Sequence, residues 1–160
     1  MTASTLIANQ IRPELGDFGS IVCFKAVVTG IEEALGEKAA LIALIAAGRV
    51  RGKQLASALN IQSGMPLEQI TSAMQGALGQ AGTRLCVIDK IVMVDDAYQV
   101  FCRETICSSG EPQGSPRSLS YTMGALQGVL EIATGKRLRG AQVESVLRGS
   151  NHDVAEFKEY

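Results

Sequence analysis

The chain has 160 residues, 46% of them hydrophobic and 19% charged, enough for the core of one ordinary domain and too apolar for a disordered chain. Its 15 basic and 16 acidic residues leave a formal net charge of -1, and aromatics make up 4% with no Trp, so neither a nucleic-acid footprint nor a base-stacking platform has material to be built from. The longest uncharged apolar run, Ala39 to Gly48, is about half of the roughly 20 residues that span a bilayer, which excludes a transmembrane helix.

Residues 1–19 read as a leader segment, broken by Pro13 and Gly16, with room for one short helix. No basic stretch precedes an apolar one there, so no signal peptide is expected. Cys23, Cys86, Cys102 and Cys107 form no C-x-x-C pair. They read as small hydrophobes with reduced thiols, and the protein as cytoplasmic. Residues 20–160 read as a single domain.

From Ser20 the pattern is helical. Ile21, Phe24, Val28, Ile31 and Leu35 step by three and four, an a/d stripe that could pack on a partner chain. After Gly36 a second helix runs from about Glu37 to Leu59, with Leu41, Ile45, Gly48, Gly52, Leu55 and Leu59 on one stripe and Leu44 beside it. Pro66 suits the first turn of a third helix, whose buried face is Ile70, Ala73, Met74, Ala77 and Leu78. Arg84 to Val94 and Ala97 to Ile106 read as a β-hairpin turned by Asp95-Asp96, a weaker turn signal than Asn-Gly. Cys107 to Arg117 is a loop, either a plain connector or a mobile cover over a site. Ser118 or Ser120 caps a last helix that ends at Gly135. Lys136 to Arg148 reads as a strand, residues 149–153 as a turn and Val154 to Tyr160 as a final strand. Strands joined by short turns predict an α+β fold, with an antiparallel sheet of about four strands packed against helices.

Little here carries catalysis. G-x-x-x-G-K at Gly48 to Lys53 is one residue short of a phosphate loop, and Gln54 replaces the magnesium-binding hydroxyl. It lies mid-helix, where the amides that would hold phosphate are already bonded. His152, the only histidine, sits beside Asp153 in a turn and reads as an exposed turn residue. Ser108, Ser109, Ser115 and Ser118 form no nucleophile elbow, and no dinucleotide fingerprint supports a reductase. A mid-helix glycine costs about 1 kcal/mol relative to Ala. The pairs Gly48/Gly52 and Gly124/Gly128 therefore ask for a reason. One is close packing of two helices; the other is room for an apolar ligand, with Leu44 and Tyr121 in the lining. Arg49 and Lys53, at i,i+4, are either a solvated basic face or a clamp for an anionic group of that ligand.

Two blocks carry a resemblance. Leu35 to Leu55, L-G-E-K-A-A-L-I-A-L-I-A-A-G-R-V-R-G-K-Q-L, and Tyr121 to Lys136, Y-T-M-G-A-L-Q-G-V-L-E-I-A-T-G-K, resemble the early and late helices of 4-vinyl-reductase-like domains, also called hydrocarbon-binding domains. The N-terminal R-P-E-L-G-D, then S-I-V-C-F, is similar to cyanobacterial members. The resemblance implies the fold of the TRAPP trafficking subunits and a homodimer formed through helices. It implies non-enzymatic binding of a small hydrophobic molecule, in some members a tetrapyrrole of chlorophyll synthesis. A role in photosynthetic pigment handling, with peripheral membrane or photosystem association, would follow. A scaffold for protein interaction, with a filled core, is the alternative. Many members carry cysteines where this chain has Leu119, Ser145 and Ala155, which excludes a thiolate metal site there by residue type.

Overall fold

The computed structural model of the chain describes residues 11–160. The leader expected over residues 1–19 thus lies partly outside the described residues. Its described part is a turn in which the Asp17 carboxylate accepts hydrogen bonds from the amides of Ile11 and Arg12. Helix α1 (Ile21–Leu35) opens on Ser20, whose hydroxyl accepts from the Cys23 amide at 3.4 Å. That bond meets one of the amides a helix start leaves free. Gly36, at φ 79°, breaks the helix and leads directly into α2 (Glu37–Ala58). Helix α3 (Leu67–Leu78) follows Pro66 and buries Ile70, Met74, Ala77 and Leu78, the face its spacing predicts.

Strands β1 (Val87–Val94) and β2 (Ala97–Arg103) form the expected hairpin. Asp95 and Asp96 turn it at φ 47° and 62°. A two-residue hairpin of type I′ needs positive φ at both positions, and Asp is one of the few side chains that tolerates it. After the 104–120 segment comes α4 (Tyr121–Thr134), stopped by Gly135 at φ 67°. Strand β3 (Leu138–Glu144) is shorter than the sequence suggests. Ser145 ends it by accepting from the Leu147 amide and starting a 3-10 turn, Val146–Arg148. Strand β4 (Asp153–Glu159) closes the chain. The sheet is antiparallel throughout, in the order β1-β2-β4-β3. This is the α+β architecture that the element order predicts.

Helix α4 is buried on every side from Thr122 to Glu131, so it forms a middle layer, with the sheet on one side and α2 on the other. A helix inside a core must satisfy its polar side chains locally. Gln127 donates to the Leu138 carbonyl at 2.7 Å, and Glu131 accepts from the Leu138 amide at 3.1 Å. Those two side chains, one turn apart on α4, thereby fix where β3 begins. Helix α1 is less deeply set. Within its a/d stripe Val28 is buried and Phe24 and Ile31 are half-buried, while Ile21 and Leu35 are exposed.

Candidate functional site

The glycine pairs are where α2 and α4 touch. A Cβ on Gly48 would collide with the Tyr121 carbonyl oxygen and lie 2.9 Å from the Ala125 amide nitrogen. One on Gly52 would collide with the Ala125 carbonyl oxygen. Across the contact, a Cβ on Gly124 would strike the Ile45 carbonyl oxygen, and one on Gly128 that of Arg49. Two pairs of glycines, one turn apart on each helix, bring the backbones together. The space expected for a ligand between these stripes is taken up by the helices themselves. Leu44 also lies away from open space, buried with Val28 and Ala40.

The basic pair of α2 is engaged internally. Arg49 donates to both carboxylate oxygens of Glu131, at 2.8 and 2.9 Å, and Lys53 lies 3.4 Å from the same group. The sequence leaves Arg49 and Lys53 as a solvated basic face or a clamp for an anionic group of a ligand; the anion they hold in the structure is a carboxylate of α4. Burial pushes Glu131 up, but the hydrogen bonds from Arg49, the Leu138 amide and Gln127 outweigh it and keep the carboxyl below its ordinary range.

A cavity of about 140 Å³ opens on the other side of this contact. Ile21 and Phe24 of α1, Arg51, Gly52 and Leu55 of α2, and Leu78 at the end of α3 form part of its wall. Thr83 and Leu85, before β1, and Tyr121 and Ala125 of α4 complete it. The sheet contributes nothing. Two of the residues expected to contact a ligand, Gly52 and Tyr121, therefore line it, while Leu44, Gly48, Gly124 and Gly128 do not. Phe24 and Tyr121 meet edge to face, with ring centroids 4.9 Å apart, a favourable aromatic geometry. Burial raises the Tyr121 hydroxyl above its ordinary pKa, and the charge of Arg51 acts against that rise. Thr83 holds a buried hydroxyl with no hydrogen-bond partner among the described residues, a deficit of about 1–3 kcal/mol for a buried polar group. A larger groove of about 270 Å³ beside α1 is walled by Leu41, Pro116 and three serines together with the charged Glu32, Glu37 and Arg117.

Sequence reasoning misses Arg51, Thr83 and the wall from α1. One signal was available for Arg51. It stands four residues before the buried Leu55 and three after Gly48, which sets a cation on the flank of the apolar stripe.

Helix α1 is held over the cavity by the loop after β2. Lys25 reaches Glu111 at 2.8 Å and the Cys107 carbonyl at 3.0 Å. Arg117 bridges Glu111 at 2.8 Å and Glu32 at 2.9 Å. The hydrogen bond from Lys25 holds the Glu111 carboxyl below its ordinary range. The 107–117 segment is thus strapped to α1 by half-buried side chains.

The 149–153 turn does more than the exposed-turn reading allows. Asp153 is fully buried and accepts from Thr105 at 2.8 Å, Ser108 at 2.6 Å and the Val146 amide at 3.0 Å. His152 is half-buried, 2.8 Å from Asp89, which also takes two hydrogen bonds from Arg103. The Arg103 bonds foremost, then His152, hold Asp89 down to about 2. Cys86, Cys102 and Cys107 are buried free thiols, whereas Cys23 is exposed. A hydrogen bond with Cys86 that favours the protonated thiol, together with burial, pushes Cys102 up. Among the described residues no group of three His, Cys, Asp or Glu is placed to hold a metal ion, and no helix is long and apolar enough to cross a membrane.

No family model matches the chain, and no curated protein sequence does. Solved structures match. The phenol-responsive sensory domain of the transcription activator PoxR, with phenol, superposes with a TM-score of 0.66 at 14% identity, over 89% of this chain and 76% of that one. A trafficking protein particle complex subunit 3 from Naegleria fowleri, covalently bound to palmitic acid, gives 0.56 at 14% identity, over 88% and 92%. The chain has the TRAPP-like fold. A vinyl-4-reductase family protein from Methanocaldococcus jannaschii gives 0.48 at 17% identity, over 87% and 78%. At these identities the likeness concerns the fold alone. The first two agree with the fold that the sequence resemblance implies.

Proposed function

We propose that this domain binds a small hydrophobic molecule in the cavity between α1, α2, the end of α3 and α4, without catalysis. The observation that carries this reading is the cavity itself: apolar and aromatic walls, few polar groups, and a volume of about 140 Å³. A dry apolar cavity of about 150 Å³ holds one benzene ring, whereas drug-sized ligands occupy roughly 300–1,000 Å³. The size supports a single ring or a short chain. A tetrapyrrole or chlorophyll precursor, the ligand class suggested by the sequence resemblance, would need α1 to move away, so a role in photosynthetic pigment handling draws no support from this cavity. The fold is shared with a phenol-responsive domain and with a palmitate-bearing subunit, which is consistent with a ligand of either shape, ring or chain. Melting temperature measured with toluene, phenol, hexanoate and protoporphyrin tests it. A rise of several degrees with a small probe is expected. No shift with any of the four would defeat the proposal.

A second reading concerns partners. Val22 and Val27 on α1 and Ile42 and Val50 on α2 are each more than half exposed, and the α2 surface between Lys38 and Arg49 carries no charge. A face of this kind marks an interaction surface. We infer a homodimer through α1 and α2, compatible with ligand binding and equally with a TRAPP-like scaffold. Light scattering across a concentration series decides it: a monomer at about 100 μM, where a contact with a Kd of about 1 μM would be almost wholly formed, would end this reading.

A further inference from the structure

Resting on that cavity as the binding site, we propose that the ligand is a small carboxylic acid, its carboxylate held by Arg51 at the rim and its ring or short chain among the apolar walls. Three cations stand at alternate positions on α2: Arg49, Arg51 and Lys53. Two positions along a helix turn a side chain by about 200°, so Arg51 faces away from the other two. Arg49 and Lys53 share Glu131. Arg51 is half-buried in the cavity wall and makes no hydrogen bond or ion pair with any described residue. No Asp or Glu lines the cavity to offset it.

A guanidinium with no partner among the described residues, set beside apolar walls, is a recognition element for a carboxylate. Its planar fork donates two parallel hydrogen bonds, and the low-polarity surroundings leave its field less screened than in water. Thr83, whose buried hydroxyl has no partner among the described residues, is a second polar group in the same wall. A neutral hydrocarbon would leave both unanswered. A carboxylate on a single ring answers the charge and fits the volume.

Calorimetry on the full chain at pH 7 with benzoate, benzamide and toluene separates the possibilities. Benzamide has the shape of benzoate without its charge. Benzoate is expected to bind at least tenfold more tightly than benzamide. Arg51→Gln should bring benzoate down to the benzamide level and leave benzamide unchanged. Arg51→Lys, which keeps the charge and loses the fork, should retain part of the preference. Both variants are first shown to melt as the parent does. Equal binding of benzoate and benzamide, or a preference that survives in Arg51→Gln, would overturn the inference and leave the cavity reading standing. No binding of any of the three would overturn both.

Discussion

Gly48 of α2 rests directly on the main chain at Tyr121 of α4, so close that a single added methyl group would strike the Tyr121 carbonyl oxygen. Helix propensity alone says that Gly→Ala should stabilise a helix by roughly 0.5–1 kcal/mol. Packing reverses the sign here. Gly48→Ala is expected to cost more than about 2 kcal/mol, because two backbones must part to admit the methyl. Gly30, in α1, has open space around its Cβ position, and Gly30→Ala should stabilise by about 0.5 kcal/mol. Urea unfolding of the two variants checks the opposite signs.

Glu131 is the buried counterpart of Arg49. Glu131→Gln keeps the shape and removes the charge, with an expected loss of about 1–3 kcal/mol at pH 7. The carboxyl is held below its ordinary range in the fold, so the unfolded chain takes up its proton more readily. The contribution is therefore full above the unfolded value of about 4.3 and is lost as pH falls through the lower, folded value. Unfolding midpoints of wild type and Glu131→Gln should converge as the solution is acidified below about pH 4. Asp89, held to about 2, should keep its contribution to lower pH.

Arg117 joins the 107–117 segment to Glu32 of α1 and holds Glu111, which pairs with Lys25 of α1. Without it, α1 keeps Val28 as its one fully buried side chain. Arg117→Ala should speed amide exchange in α1 about tenfold, equivalent to roughly 1.4 kcal/mol of local opening, while α4 exchange stays unchanged. Equal acceleration in α1 and α4 would show that the strap serves global stability instead.

Ile42 and Val50 sit two turns apart on the outer face of α2. If that face joins two copies, Ile42→Glu together with Val50→Glu should convert dimer to monomer in light scattering without lowering the melting temperature of the protomer by more than a few degrees. Surface substitutions away from such a contact are usually worth no more than about 0.5 kcal/mol.

Element types and order were legible because the periods are clear: the steps of three and four at Ile70, Met74 and Ala77 put one face of α3 inward, and Asp95-Asp96 divides two β-rich runs. The site was less legible. Glycines at i,i+4 report that something comes close, and a helix or a ligand gives the same spacing. Only the partner helix resolves that, and its own pair, Gly124 and Gly128, lies more than 70 residues away. Glu131 reads as one polar residue on an apolar helix until Arg49 and Leu138 are seen around it. Asp153 looks like a turn residue because its partners, Thr105 and Ser108, come from a distant loop. Long-range pairing of this kind leaves no local period to read.

The cavity is tested most directly by titrating toluene into protein carrying labelled Leu and Ile methyl groups and following the methyl resonances. The account predicts saturable shifts at Leu55, Leu78, Leu85 and Ile21, which line the cavity, with Leu126 and Leu130 in the main core unmoved. Shifts absent at saturating toluene, or spread evenly over the core leucines, would contradict it.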